Sequence, residues 1–221
     1  RATWNGEGGG VLLNQAPHNL DLWQWIFGMP ERIRAFCYPG KYHNIAVEDD
    51  ATLYAEYASG ATAVFITSTG EYPGTNRLEI SGDRGKIVVE KGRLVFSELS
   101  EQERRYCFSS AGRPAPSVGD TVFKETIAES GHKLILRNFA KAALYGEELI
   151  APGQDGINEL MLSNAAYLSS WTDGWVTLPP DKDLFEKLLA ERIKKEDFLV
   201  KTSSDNISGK SGYRDRWQVK W

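Results

Sequence analysis

The sequence predicts an α+β fold in which helices pack on one face of an antiparallel β-sheet. Hydrophobic residues recur with a helical period near the N-terminus, with a period of two through the middle, and with a helical period again after about residue 131. The connections between the predicted strands are too short for parallel crossovers, which need a dozen residues or more. The 221 residues, 41% of them hydrophobic, suffice for one sizeable domain or two small ones. Helix, many strands and then helices is the order typical of α+β proteins.

The first predicted element is a helix over residues 17–27. Pro17 would lose a hydrogen bond inside a helix, so we expect a break or kink there, and Gly28 followed by Pro30 ends the helix. Alternating hydrophobicity then predicts six strands, over residues 32–38, 51–57, 61–69, 77–81, 86–90 and 93–97. Glycine-containing connections such as residues 58–60 and 82–85 favour hairpins.

The second half of the chain is predicted to be mainly helical. Residues 101–108 read as a polar edge strand, and residues 111–120 as a loop rich in Pro, Gly and Ser. Helices follow over residues 132–145 and 156–171, a short strand over 176–178, and a last helix over 183–194. Residues 201–221 are predicted to be a loosely ordered or docked tail.

Composition and charge exclude several classes of protein. The net charge is −4, from 26 basic and 30 acidic residues mixed along the chain, so nothing indicates nucleic-acid binding. No run of about 18 apolar residues predicts a membrane span. The opening lacks a Met and the features of a signal peptide, which indicates a processed chain or a piece of a longer one.

The glycine-rich segment Gly8-Gly9-Gly10 is a poor candidate for a dinucleotide site. The third glycine of the usual fingerprint is missing, no strand precedes the segment and no βαβ unit follows it.

The best candidate for chemistry is the set Asn14, His18 and Asp21. Their spacings of four and three place them on one face of a continuous helix. An imidazole near a carboxylate is suited to act as a general base, and Asn14 could hydrogen-bond a substrate hydroxyl. The alternative is a histidine satisfied in the core, with Asp21 bound to a backbone amide.

A metal site is a rival use of the same residues. His18 and Asp21 are possible ligands, as in a metal hydrolase, and the acidic run 48–50 could supply more. No metal-ligand spacing supports this, however, and the acidic run is interpreted as a solvated turn. His43 and His132 are interpreted as surface or capping groups.

An ordered set of motifs extends over about residues 4–194. It consists of Gly8-Gly9-Gly10 followed by VLLNQAPHNLDLWQWIFG, of residues 47–51, 59–61, 68–74 and 76–86, and of Asn138-Phe139, Glu159-Leu160, Asn164-Ala165-Ala166 and residues 175–179. This set resembles the C-terminal domain of the Gfo/Idh/MocA family, the glucose–fructose oxidoreductase and inositol dehydrogenase relatives.

The resemblance implies a large, predominantly antiparallel open sheet with helices on one face and an oligomer contact on the other. It makes residues 1–200 a substrate-binding and oligomerisation domain of a longer NAD(P)-dependent oxidoreductase. The family's Rossmann domain, with its Gly-rich loop and catalytic lysine, is absent here. No residue of this chain is therefore expected to bind NAD or NADP, and the chain alone is expected to be inactive.

The resemblance also implies residue roles. His18 matches the family's catalytic histidine, which transfers the proton of the hydroxyl being oxidised. Asn14 stands where many members have Asp and is expected to contact substrate; Trp4, Tyr72 and His132 are weaker candidates for pocket walls. No metal is expected.

The substrate expected from the resemblance is a sugar, cyclitol or related polyol, and the expected partner is a second copy of the chain. With no export signal in view, a cytoplasmic location is the default. The alternative function is a non-catalytic sugar-binding or assembly module of the same fold.

Overall fold

The computed structural model describes residues 2–109, 112–124 and 131–203 of the chain. The helices in this part are α1 (Trp4–Glu7), α2 (Val11–Asn14), α3 (Pro17–Phe27), α4 (Glu103–Ser109), α5 (Gly131–Tyr145), α6 (Gly156–Thr172) and α7 (Lys182–Ser203). The strands are β1 (Arg32–Pro39), β2 (Glu48–Glu56), β3 (Thr62–Ser68), β4 (Arg77–Gly82), β5 (Gly85–Glu90), β6 (Arg93–Leu99), β7 (Val118–Lys124) and β8 (Val176–Thr177). The predicted α+β class is confirmed.

The strands form two antiparallel sheets of four strands each. The first has the order β3-β2-β1-β8 and the second the order β4-β5-β6-β7. Every paired strand in both sheets is antiparallel, as the short connections predict.

The chain divides into two compact units. Unit 1 consists of Arg1–Gly70 and Pro152–Trp221, and unit 2 of Glu71–Ala151. Unit 1 therefore contains the first sheet with α1, α2, α3, α6 and α7, whereas unit 2 contains the second sheet with α4 and α5. Of the tail predicted from residue 201, the structure describes only the end of α7; residues 204–221 lie outside the described part.

The core of unit 1 lies between one face of the first sheet and its helices. Alternate residues of β1 and β2 are buried there, because successive strand side chains point to opposite faces. The buried set includes Ile33, Ala35, Ala51, Leu53 and Ala55 from the strands, and Leu12, Leu20, Trp23, Leu162, Ala165 and Ala166 from the helices. Ser169 of α6 joins helix to sheet: its Oγ accepts from the Ala35 N–H at 2.8 Å.

The opposite face of the first sheet carries large exposed side chains. Phe36 and Tyr38 lie on β1, and Val64 and Ile66 on β3. Helices therefore cover one face of this sheet within the described residues of unit 1, as predicted.

Unit 2 contains no buried side chain among its described residues. A stripe of half-buried apolar residues crosses β4, β5 and β6 in register, with Leu78 opposite Val89 and Val89 opposite Leu94. Several large apolar residues of α5, among them Ile135, Leu136 and Phe139, are exposed.

The polar edge strand predicted at residues 101–108 is wrong: most of this segment belongs to α4. Asp83 starts the helix, because its backbone carbonyl accepts from the Glu103 N–H and its carboxylate from the Arg104 N–H, both at 2.8 Å. The edge strand is instead β7, which begins inside the predicted loop 111–120. The last helix, α7, extends well beyond the predicted residue 194.

None of the helices within residues 2–109, 112–124 and 131–203 combines the length and the apolar character needed to cross a membrane.

Candidate functional site

The glycine-rich segment lies between α1 and α2, where the backbone passes close to buried groups of unit 1. A Cβ atom at Gly9 would lie 2.1 Å from Tyr167 Oη, and one at Gly10 would lie 2.0 Å from the Glu48 carbonyl oxygen. Both distances are far below van der Waals contact, so only glycine fits. Gly8 ends α1 in the left-handed conformation, with φ of 75°.

The Glu48 carboxylate holds this segment. It is fully buried and accepts from the Gly10 N–H at 2.9 Å, the Leu12 N–H at 3.0 Å and the Tyr167 hydroxyl at 2.7 Å. Burial raises the pKa of Glu48, although these donors act in the opposite direction.

The same contacts decide whether the glycine-rich segment fits a dinucleotide. A pyrophosphate would have to be held by N–H groups such as those of Gly10 and Leu12, which Glu48 already occupies. The segment therefore does not fit a cofactor phosphate, and its glycines serve close packing.

Asn14 and His18 lie on the segment that follows. Asn14 ends α2 and His18 is the second residue of α3, which begins at Pro17 as predicted. The helix is not continuous, because residues 15 and 16 lie between α2 and α3; the Ala16 N–H donates to Val11 O, five residues earlier, at 2.9 Å, and the Leu20 N–H donates to Ala16 O at 3.0 Å. Both side chains are exposed, and in the described part of the chain neither has a hydrogen-bond partner.

Asp21 has a partner other than His18. Its Oδ1 accepts from Gln24 Nε2 at 2.9 Å, and Gln24 in turn accepts from Asn158 of α6 at 3.3 Å. Burial, followed by the nearby charge of Asp21, raises the pKa of Glu159 on α6. Asp21 therefore belongs to the contact between α3 and α6.

The remaining predicted pocket residues lie in three different settings. Trp4 is a core residue with 5% exposure: its indole N–H donates to Ala46 O at 2.7 Å, and its ring meets Tyr167 and Trp171 edge-on. Tyr72 is 97% exposed at the beginning of unit 2, and His132 is exposed in the first turn of α5. Unit 1 thus brings Asn14, His18 and Asp21 onto one segment, while Tyr72 and His132 belong to unit 2.

The acidic run 48–50 is not a solvated turn, so that interpretation is wrong. It begins β2, and Glu48 and Asp49 are buried. Asp49 accepts from the backbone N–H groups of Lys41, Tyr42 and His43 at 2.8–2.9 Å, and its Oδ2 lies 3.0 Å from His43 Nδ1. Burial alone would raise the pKa of Asp49, but these donors outweigh it and lower the pKa.

Sequence reasoning missed both buried carboxylates, for different reasons. Asp49 has the same parity as the inward residues Ala51, Leu53 and Ala55, so extending the alternation backwards would have found it. Glu48 has the opposite parity. It is turned inward where the pairing of β1 and β2 shifts register between Tyr38 and Pro39, which no pattern in the sequence signals.

Within the described residues, no three His, Cys, Asp or Glu side chains are grouped so that they could hold a metal ion.

Comparison with solved structures finds this fold in dehydrogenases and other oxidoreductases. The WlbA dehydrogenase from Chromobacterium violaceum, solved with NADH and UDP-GlcNAcA, is 25% identical with a TM-score of 0.56; the match covers 82% of this chain and 49% of that one. The WlbA dehydrogenase from Bordetella pertussis is 21% identical with a TM-score of 0.55, covering 82% and 48%. Levoglucosan dehydrogenase, solved with NADH and levoglucosan, is 18% identical with a TM-score of 0.61, covering 78% and 51%.

A family model also matches part of the sequence. Residues 1–88 match the family model for the GFO/IDH/MocA C-terminal domain, the family that the motifs of the chain resemble. The chain spans about half the length of the solved structures that it matches. The comparison with curated proteins found no match.

Proposed function

We propose that this chain forms the substrate-binding and assembly part of an NAD(P)-dependent oxidoreductase. The reaction interconverts a hydroxyl and a carbonyl group of a sugar, cyclitol or related polyol. The carrying observation is His18: an exposed imidazole with no partner in the described residues, set on a segment whose backbone is anchored in the core. The family match supports the class of reaction, and the ligands bound in the structural neighbours support a sugar substrate.

In this proposal His18 moves the proton of the reacting hydroxyl. A neutral imidazole accepts the O–H proton as the carbon loses hydride, and the same group returns the proton in the reverse direction. The Asn14 amide can both donate to and accept from a neighbouring hydroxyl, so it helps to hold the reacting carbon in place.

The proposal places the cofactor site outside this chain. A nicotinamide cofactor, NAD or NADP, supplies the hydride acceptor when it is bound. The glycine-rich segment does not fit its phosphates, so the residues of this chain contribute the substrate side. The isolated chain is therefore proposed to be inactive.

The three weaker candidates for pocket walls have different proposed roles. Tyr72 and His132 are exposed and stay proposed substrate contacts from unit 2. Trp4 is proposed to act only by packing, because its ring is buried and its N–H is already paired.

Assembly into a homo-oligomer is part of the proposal. Phe36, Tyr38, Val64 and Ile66 are 45%, 49%, 60% and 71% exposed on the uncovered face of the first sheet, a cluster of apolar surface typical of an interface. Light scattering should give a mass above that of the monomer, and Ile66→Asp should reduce it. A wild-type monomer would refute this part of the proposal.

The proposed reaction is tested with the full protein product of the gene that encodes this chain. Reduction of NAD or NADP is measured with a panel of sugars and polyols, beside fluorescence titration of NADH into the isolated 221-residue chain. We expect turnover by the longer protein and no saturable NADH binding by the isolated chain. Saturable binding to the chain, or sugar binding without turnover by the longer protein, would contradict the proposal; the latter result is that of a non-catalytic module.

A further inference from the structure

The buried carboxylate of Glu48 connects three parts of unit 1 that are distant in the sequence. Glu48 is the first residue of β2, Tyr167 belongs to α6, and Gly10 and Leu12 belong to the glycine-rich segment and α2. One side chain thus receives two backbone N–H groups and one hydroxyl, each at 3.0 Å or less. Hydrogen bonds to a buried carboxylate are stronger than those between neutral groups.

Backbone hydrogen bonds occur along the segment from this carboxylate to the residues next to His18. Leu12 is bound to Glu48; the Gln15 and Ala16 N–H groups donate to Val11 O, and the Asn19 and Leu20 N–H groups donate to Ala16 O. The side chains of Leu12, Ala16 and Leu20 are buried along the same segment. A shift of α2 would therefore carry the start of α3 with it.

Tyr167 makes the attachment to α6 rigid. Its hydroxyl donates to Glu48, and its ring is stacked on Trp171 with centroids 5.6 Å apart and meets Trp4 edge-on at 5.5 Å. The close approach of Gly9 to Tyr167 leaves the segment no room to relax toward α6.

We infer that Glu48 is the positioning residue of the candidate site: it sets the glycine-rich segment and α2, and through them the places of Asn14 and His18. This inference rests on the proposed function for the role of His18. The glycine-rich segment of this chain is then a loop whose backbone binds an internal carboxylate.

Amide hydrogen exchange on the whole 221-residue chain tests the positioning alone. Glu48→Gln removes the charge with little change of shape, Tyr167→Phe removes one donor, and Glu79→Gln changes a surface carboxylate of unit 2 as the matched control. We expect residues 8–16 to exchange about tenfold faster in Glu48→Gln and about threefold faster in Tyr167→Phe. The β1 and β2 amides and the control should be unchanged.

Two results would overturn the inference that Glu48 positions this segment. One is unchanged exchange of residues 8–16; the other is equal acceleration throughout unit 1, which a purely structural role would produce. If Glu48→Gln does not fold, Tyr167→Phe decides by the same criterion.

A double-mutant cycle on the active longer protein tests the link to the reaction. We expect Glu48→Gln to lower kcat about tenfold with KM within about twofold, and to cause no further loss in a His18→Asn background. Additive losses would refute the link to His18. Failure of the proposed function has a different signature, namely a His18→Asn variant with full activity, and it leaves the exchange result untouched.

Discussion

The buried carboxylates of unit 1 and the ion-paired carboxylates of unit 2 have opposite surroundings. In unit 1, Glu48 and Asp49 are buried and accept backbone N–H groups. In unit 2, Glu79 and Glu101 lie toward the surface and pair with cations: Lys86 and Arg77 for Glu79, and Arg113 for Glu101, each at 2.6 Å.

The difference concerns what each unit must hold in place. A buried carboxylate that loses its donors is left unsatisfied, so it tolerates little movement of the backbone around it. A surface ion pair is weak and adjustable. The contacts that tolerate least movement are therefore those of Glu48 and Asp49 in unit 1. Glu48 binds the segment that precedes His18.

The largest difference in stability between the two units is expected when a glycine is replaced by alanine. Gly10→Ala should destabilise the chain by about 3 kcal/mol, because the new Cβ would overlap the Glu48 carbonyl oxygen. Gly119→Ala in β7 meets no atom within 4 Å and should stabilise by about 0.5 kcal/mol. Urea unfolding followed by circular dichroism measures both, and equal effects would remove the contrast.

A smaller effect, with a distinct pH dependence, is expected at Asp49. The pKa of Asp49 is lowered in the folded state. Its contribution to the free energy of unfolding is therefore complete above the ordinary Asp pKa and is lost as the pH falls through the pKa of the folded state. Asp49→Asn should therefore cost about 2 kcal/mol at pH 7 and progressively less toward pH 3.

Unfolding in urea at pH 7, 5 and 3 measures this dependence. The exposed Asp120 of β7 provides the control, and Asp120→Asn should change the free energy of unfolding little at any pH. A penalty for Asp49→Asn that is the same at all three pH values would contradict the assigned cause.

The smallest effect is expected at the surface pairs of unit 2. Lys86, followed by Arg77, lowers the pKa of Glu79 to about 2, but the carboxylate is exposed to solvent. Glu79→Gln should leave the unfolding midpoint unchanged within error. A clear fall in the midpoint would mean that unit 2 depends on this pair.

The elements that sequence reasoning predicted well are those in which local signals and burial agree. Pro17 and Gly28 bound α3, and strict alternation gives β2 its inward face of Ala51, Leu53 and Ala55. The role of His18, which spacing and the family resemblance indicate, stays a prediction; the structure shows that its side chain is exposed at the start of α3.

The elements that sequence reasoning missed depend on contacts between distant residues. The start of α4 is made by Asp83, about twenty residues earlier in the chain, so the local pattern alone favoured a strand. β7 contains Gly119 and Asp120, which rarely favour strands, and is held by pairing with β6. Trp4 belongs to the core because α6 supplies Tyr167 and Trp171 as neighbours, which its position near the N-terminus does not indicate.

The central claim is that His18 in unit 1 performs the proton transfer, with the rest of unit 1 holding it in place. The most direct test is the steady-state rate of His18→Asn in the longer protein, with His132→Asn of unit 2 measured beside it. We predict that His18→Asn lowers kcat by about 10² to 10⁴-fold, whereas His132→Asn changes mainly KM, by a few-fold. A His18→Asn enzyme with a kcat within about threefold of the wild type would contradict the account.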